Sequence, residues 1–202
     1  ACLCGVERCR FLQEMSSTYE NSIPIVAFAG AMRAGKSTSA KTLSTQFGYR
    51  TYSFADPIRK LCRAMGITKK YYGGNKDLII PHLGKSARYI MQTIGTEWGR
   101  ELVKQSIWLD MMRLRLESAS KDKNLICIDD VRFDNEATLV RECGGIVVRV
   151  VRGDTQSDHI SEAGVSDDLI SLEIENTGSV TNLSEKLEKI IYDKSLLPRQ
   201  SR

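Results

Sequence analysis

The stretch GAMRAGKSTSA, Gly30 to Ala40, decides how the rest of the chain is read. It fits the phosphate-binding template G-x-x-x-x-G-K-[ST], with Gly30, Gly35, Lys36 and Ser37 in the required places. In such a loop the backbone N–H groups and the N-terminus of the following helix form a concave donor surface for phosphate oxygens. Gly30 and Gly35 permit the backbone turns, Lys36 reaches the outer phosphates, and the Ser37 hydroxyl can hold Mg²⁺. The loop identifies a nucleotide binder but not a reaction. GTPases, motors, helicases and small-molecule kinases all carry it.

Outward from the loop, strands and helices alternate. IPIVAFAG (Ile23–Gly30) reads as a buried strand feeding the loop, and KSTSAKTLSTQF as a helix closed by Gly48. YRTYSF (Tyr49–Phe54) predicts a second strand, and Asp56-Pro57 the capped start of a helix. Residues 67–85 hold three glycines and a proline and read as a loop or mobile insertion. Helices are expected over Ser86–Ile94 and about Gly99–Ser118, separated by GTEWG. Further strands are predicted at Asn124–Asp130, Ile146–Val151 and Asp168–Ile174, with a helix in NEATLVRECGG and a last one in LSEKLEKIIYDK. This pattern predicts an α/β fold of the P-loop NTPase kind, a five-stranded parallel sheet with helices on both faces. Ligands of such sheets sit beyond the carboxyl ends of the strands.

The second half of a P-loop site is an acidic residue ending another buried strand, where it acts on Mg²⁺ or its waters. LICIDDVRF supplies Asp129 and Asp130 for that role, alongside Ser37. A GTPase would need Asn-Lys-x-Asp after an apolar strand, and NKDL (Asn75–Leu78) has the wrong spacing. A motor or helicase would need more chain. A small kinase remains, and it must hold a second substrate. Arg88 and Gln92, four apart, share one helix face and can point a guanidinium and an amide the same way. Gly95-Thr96 offers a close-approach turn with a hydroxyl. Trp98 and Trp108 could stack a base, but a tryptophan on an amphipathic helix more often packs a core.

Together, GAMRAGKST, SFADPIRK, ARYIMQTIGTEWGRE, IDDVRFDNEA and HISEA resemble the phage and viral deoxynucleoside monophosphate kinases, over roughly Ile23 to Ile191. The resemblance implies ATP as phosphoryl donor, Mg²⁺ as cofactor and an NMP-kinase-like fold with a short lid. It implies catalytic roles for Lys36, Arg132 and Asp130, and a Mg²⁺ site at Ser37, Asp129 and Asp130. The ATP-binding set it implies is Gly30, Ala31, Arg33, Ala34, Gly35, Lys36, Ser37 and Thr38, with Arg149 and Arg152 from the lid region. Asn176 and Gly178, in ENTGS, would lie by the adenine. The implied acceptor site comprises Arg59, Lys60, Arg88, Gln92, Gly95, Thr96, Arg100, Trp108, Asp130, Arg132 and Glu136, with Arg132 near the transferred phosphoryl group. His159, Ser161 and Glu162 would tie down the lid. Some phage members carry a carboxylate after the loop lysine where this chain has Ser37, and Arg33 within the loop could clamp either phosphate. Phosphomevalonate kinase and dephospho-coenzyme A kinase share the architecture, and a non-catalytic ATP-binding protein is the reading from a different class. MQTIGTEWGR argues against an isoprenoid phosphate, which offers no base to read.

Length and composition agree with this. The chain has 202 residues, 42% hydrophobic and 27% charged, as for one ordinary globular domain. The expected organisation is a tail over 1–22, a kinase domain over 23–195 with a helical substrate-binding part at about 67–118 and a lid at about 152–166, then a tail over 196–202. Met15 opens a run leading into the first strand, so residues before it read as a tag, an extended frame or a disordered tail. The net charge of +4 is spread along the chain, which favours small nucleotides over nucleic acid as partners. No stretch approaches the ~18–20 unbroken apolar residues of a membrane span, and a cytoplasmic setting without membrane association is expected. Cys2, Cys4 and Cys9 complete no metal-site pattern. A homodimer is implied by the resemblance alone.

Overall fold

The computed structural model describes residues 24–73, 75–153, 164–194 and 196–197. The chain divides into two compact units, Ala1–Thr51 with Leu116–Arg202, and Tyr52–Arg115.

The main sheet has five strands: β1 (Ile25–Ala29), β2 (Arg50–Tyr52, its last residue the first of the second unit), β5 (Ile126–Ile128), β6 (Ile146–Val151) and β7 (Leu172–Glu175), in the spatial order β2-β5-β1-β6-β7. β1 pairs in parallel with β5 and β6, and β6 with β7. All five residues of β1 are buried, as a central parallel strand covered on both faces requires. Side chains alternate along it. Val26 and Phe28 enter a core with Ala40 and Leu43 of α1 (Lys36–Phe47) and Leu183, Leu187 and Ile191 of α7 (Val180–Asp193). Ile25 points the other way, toward Gly145 and Val140 at the end of α6 (Asp134–Glu142). Helices therefore flank both faces of the sheet. The last strand is shorter than expected. Asp167–Leu169 form a 3₁₀ turn instead, and Ser171 N–H donates to the Val147 carbonyl at 2.8 Å as pairing with β6 begins.

The second unit differs more from the sequence reading. Across residues 67–86 lie a short helix α3 (Lys69–Tyr72) and a hairpin of β3 (Ile79–Ile80) and β4 (Lys85–Ser86), paired antiparallel. They are ordered because Ile67, Tyr72 and Ile80 join Cys62 of α2 (Asp56–Ala64) and Ala87 and Ile90 of α4 (Ala87–Thr93) in one buried cluster. Such short strands carry no alternation to detect. Ser86 caps α4, its Oγ accepting from the Tyr89 N–H at 3.2 Å.

GTEWG does not separate two helices. α4 continues into a π-helix over Ile94–Val103, and the break falls before α5 (Ile107–Lys121). Trp108 holds this wide helix in place. Its indole N–H donates to the Gly95 carbonyl at 2.8 Å, and its ring lies so close to Gly99 that a Cβ there would sit 2.5 Å from a ring carbon. Only a residue without a side chain admits that approach. Trp108 is thus core, 5% exposed, and its one donor is committed. Trp108→Ala is expected to cost about 3–5 kcal/mol of stability, read as a lower denaturant midpoint. Trp108→Phe, keeping an aromatic ring but leaving the Gly95 carbonyl short of a donor, should cost less.

The lid residues His159, Ser161 and Glu162 and the tails over 1–22 and 198–202 lie outside the described residues. Among the described residues no helix is long and apolar enough to cross a membrane. Cys62, Cys127 and Cys143 are free and buried. Burial pushes the Cys62 and Cys127 thiols above their ordinary value, with Asp129 adding its charge at Cys127, so they are poor nucleophiles.

Candidate active site

In the first unit the strand order sets the geometry. β1 leads into Gly30, and its neighbours β5 and β6 lead into Asp129 and Arg152, so the loop is flanked on both sides by strand ends. Val131 N–H donates to the Phe28 carbonyl at 3.2 Å, which keeps Asp129 and Asp130 beside the end of β1. Gly30 has φ +129°, and a Cβ on it would collide with the Val150 carbonyl oxygen. Gly35, φ +117°, has the Asn176 amide where a Cβ would be. Arg33 also takes a left-handed conformation, φ 66°, unusual for a residue with a side chain and a mark of an over-determined loop. Lys36 Nζ donates to the Gly30 and Ala31 carbonyls at 2.6 and 2.8 Å, so the ammonium lies across the loop's own backbone. Ser37 is exposed at the first turn of α1, Ala34 is buried, and Thr38 is half-buried.

Asn176, expected by the adenine, turns its side chain to the loop. Its Nδ2 donates to the Ala34 carbonyl at 2.8 Å, and its backbone N–H donates to the Val151 carbonyl at 2.6 Å. It is a strut between the end of β7 and the phosphate loop. Gly178 is exposed ahead of α7, where Ser179 Oγ caps the helix by accepting from the Asn182 N–H at 3.2 Å. Arg149 is engaged as well, donating to Asp167 and to the Val165 carbonyl, each at 2.6 Å. Its guanidinium fixes the chain entering the 3₁₀ turn. Arg152 is exposed.

The segment after β5 corrects a further expectation. Glu136, expected on the acceptor wall, is only 4% exposed. Its Oε2 accepts the backbone N–H groups of Arg132 at 2.8 Å and Phe133 at 3.3 Å, satisfying orphan donors at the start of α6. Glu136 therefore positions Arg132, whose own side chain is exposed. Asp134 is likewise held, accepting from Ser166 N–H at 2.8 Å and Ser166 Oγ at 2.7 Å. Those hydrogen bonds keep its carboxyl below the usual range. The donor set fits Mg²⁺. Ser37, Asp129 and Asp130 carry hard oxygen donors of the kind Mg²⁺ takes, and among the described residues no cluster of three or more His, Cys, Asp or Glu could hold a metal alone. Mg²⁺ in such sites is completed by waters and substrate phosphates rather than by a protein cage.

In the second unit Arg88, Gln92 and Thr96 are exposed and Arg100 is half-buried, at spacings of four along the α4–π-helix continuation. Arg88 is oriented by Asp77, through Nε at 2.6 Å and Nη2 at 3.2 Å. That pairing holds the Asp77 carboxyl below its ordinary value. Gly95 is buried inside the π-helix rather than in a turn; its carbonyl accepts from Trp108, and a Cβ on it would meet Ile58 Cδ1 at 3.2 Å. Trp108 is not placed to stack a base, whereas Trp98 is 44% exposed. Arg59 donates to Ser53 Oγ and Asp56, and Lys60 is exposed. Asp56 does not cap α2; its carboxylate accepts from the Ser53 N–H, Arg59 and Arg115. Sequence reasoning missed Arg115, because a lone arginine late in an amphipathic helix gives no signal.

The family described as deoxynucleotide monophosphate kinase matches residues 67–187, more than half of the chain. The chain belongs to the deoxynucleotide monophosphate kinase family. It is 29% identical over 154 residues to a protein of Acanthamoeba polyphaga mimivirus assigned provisionally to the same activity, covering 68% of this chain and 80% of that one. Against the deoxynucleoside-5′-monophosphate kinase of Escherichia phage T5 the identity is 36% over 111 residues, 50% of this chain and 44% of the phage protein. The deoxynucleotide monophosphate kinase of Escherichia phage RB69 is 33% identical over 109 residues. The matched segment spans less than half the length of these two phage kinases. Dephospho-CoA kinase from Campylobacter jejuni superposes with a TM-score of 0.50 at 13% identity, covering 85% of this chain and 96% of that one. That likeness shows a shared fold. The family and the fold together place the chain among P-loop small-molecule kinases.

Proposed function

We propose that the chain transfers the γ-phosphate of ATP to the 5′-phosphate of a deoxynucleoside monophosphate, giving the diphosphate. The observation that carries this reading is the set of groups at neighbouring strand ends in one unit: the phosphate loop with Lys36 after β1, and Asp129, Asp130 and Arg132 after β5. Family membership supports the acceptor class. A phosphate oxygen is already ionised at neutral pH, so the attacking group needs no strong general base. Catalysis is then positioning and charge neutralisation. Lys36 leaves its loop carbonyls for the β- and γ-phosphate oxygens, and Arg132, its backbone fixed by Glu136, meets the charge on the transferred group. Ser37, Asp129 and Asp130 would hold Mg²⁺, which when bound spreads the charge of the two outer phosphates. Arg88 and Gln92 serve the acceptor, the guanidinium for phosphate and the amide for a base edge or sugar.

The test is ADP release from ATP·Mg²⁺ with dAMP, dGMP, dCMP, dTMP, their ribose counterparts, phosphomevalonate and dephospho-coenzyme A offered separately. Turnover is expected with at least one deoxynucleotide, and Arg132→Ala should lower it by a factor of about 10³ without loss of ATP binding. Turnover with phosphomevalonate or dephospho-coenzyme A alone would overturn the acceptor assignment. ATP binding with no acceptor-dependent turnover would overturn the reaction.

A further inference from the structure

In the second unit a charged cluster gathers around Asp56 at the start of α2. The Asp56 carboxylate accepts three hydrogen bonds. Oδ1 takes Arg59 Nη1 at 3.2 Å, and Oδ2 takes Arg115 Nη2 at 2.9 Å and the Ser53 N–H at 3.1 Å. Arg59 Nη1 also donates to Ser53 Oγ at 2.8 Å, and Arg115 Nη1 to the Ser53 carbonyl at 3.2 Å. The Arg115 guanidinium lies over the Tyr52 ring, 4.2 Å from its centroid. None of the three charged side chains is more than 31% exposed.

Two guanidinium cations share one carboxylate, so this half-buried group carries one positive charge in excess. Withdrawing a cation from water is costly unless a counter-charge is in reach. A guanidinium has five N–H donors, and the bonds above occupy two on each arginine. Among the contacts of the described residues, the other donors of each are left for a ligand. Arg115 is also preorganised, its plane set by Tyr52 and one edge by Asp56 and Ser53, so little side-chain freedom is left to lose on binding. Paired, fixed guanidinium forks suit a phosphate monoester above a carboxylate or a neutral ligand, since a phosphate dianion presents three acceptor oxygens.

We infer that Arg115, braced by Asp56 and Tyr52, acts with Arg59 as the grip for the 5′-phosphate of the acceptor nucleotide. This rests on the kinase reading above for the identity of the acceptor, and on the cluster itself for the anion.

The test uses the full chain saturated with a non-hydrolysable ATP analogue and Mg²⁺, which fills the phosphate loop, and titrates inorganic phosphate calorimetrically. The wild type is expected to bind phosphate, and Arg115→Met to weaken that binding about 10- to 100-fold. The same variant should raise KM for the accepted deoxynucleotide by a similar factor while KM for ATP stays unchanged. Arg115→Lys keeps the charge but loses the fork and the stacking, and should weaken phosphate by a smaller factor, with a smaller drop in melting temperature than Arg115→Met. It carries the test if Arg115→Met does not fold. Absence of phosphate binding by the wild type, or equal phosphate affinity in wild type and variants, would overturn the inference and leave the cluster as a structural tie. Phosphate binding lost in the variants, with no deoxynucleotide turned over by the wild type, would uphold the grip and overturn the acceptor assignment.

Discussion

Replacing Lys36 by methionine is expected to lower kcat for deoxynucleotide phosphorylation by about 10³-fold while the fold survives. Lys36 Nζ donates to the Gly30 and Ala31 carbonyls at 2.6 and 2.8 Å, inside the loop that must receive the phosphates. The methionine stem has similar length and fills the same space, but it offers neither donor nor charge. Lys36 is half-buried rather than sealed, so water can satisfy the two carbonyls it leaves. The cost in stability is therefore small. For the proposed reaction the cost in rate is large, because Lys36 would meet negative charge on the transferring group where the bound substrates displace water. Initial-rate ADP release and a melting curve on the same preparation check both halves. A variant that melts as the wild type but keeps a tenth or more of its kcat would show that Lys36 does not act on the phosphates.

The second large effect falls on the backbone. Gly30→Ala is expected to lower the melting temperature by about 5–20 °C and to abolish nucleotide binding. Two costs add there. A side chain at φ +129° is strained by about 1–2 kcal/mol. Its Cβ also meets the Val150 carbonyl oxygen of the neighbouring strand, a rigid backbone atom that cannot swing aside, for about 1–3 kcal/mol more. Either the loop peels away from β6 or the strand pair spreads, and both spoil the concave N–H surface. Differential scanning calorimetry with and without ATP·Mg²⁺ separates the outcomes. A variant with wild-type melting and the usual ligand-induced shift would mean that the loop accommodates the added methyl group and that the close approach to β6 is not needed.

Much of this was legible along the chain because it is local. An apolar run, a glycine and a helical period are read within a dozen residues, and β1, the phosphate loop and α1 follow from them. β6 was readable to its ends, Ile146–Val151, because all six residues are apolar or arginine between glycine boundaries. The hairpin of β3 and β4 was not, since two-residue strands have no period and gain their order from the Cys62–Ile90 cluster. The π-helix was hidden for a related reason. Gly95 and Gly99 read as breakers, and only the indole of Trp108 turns them into a continuous helix. Glu136 did carry a signal, standing three residues after Phe133 at the cap position, but Phe133 lacks the hydroxyl that makes the capping pattern recognisable.

Short-range pattern and residue type were enough to predict the parallel α/β scaffold and the phosphate loop, and the quoted motifs carried the family resemblance that the match over residues 67–187 shows. What individual polar groups do is settled only in three dimensions. Asn176 braces the loop, Glu136 sets the backbone of Arg132, Trp108 packs rather than stacks, and Arg115 joins Arg59 on Asp56. Each of these is a hydrogen bond between residues distant in sequence or turned by a helix end, and its strength depends on distances of a few ångströms that no linear pattern encodes.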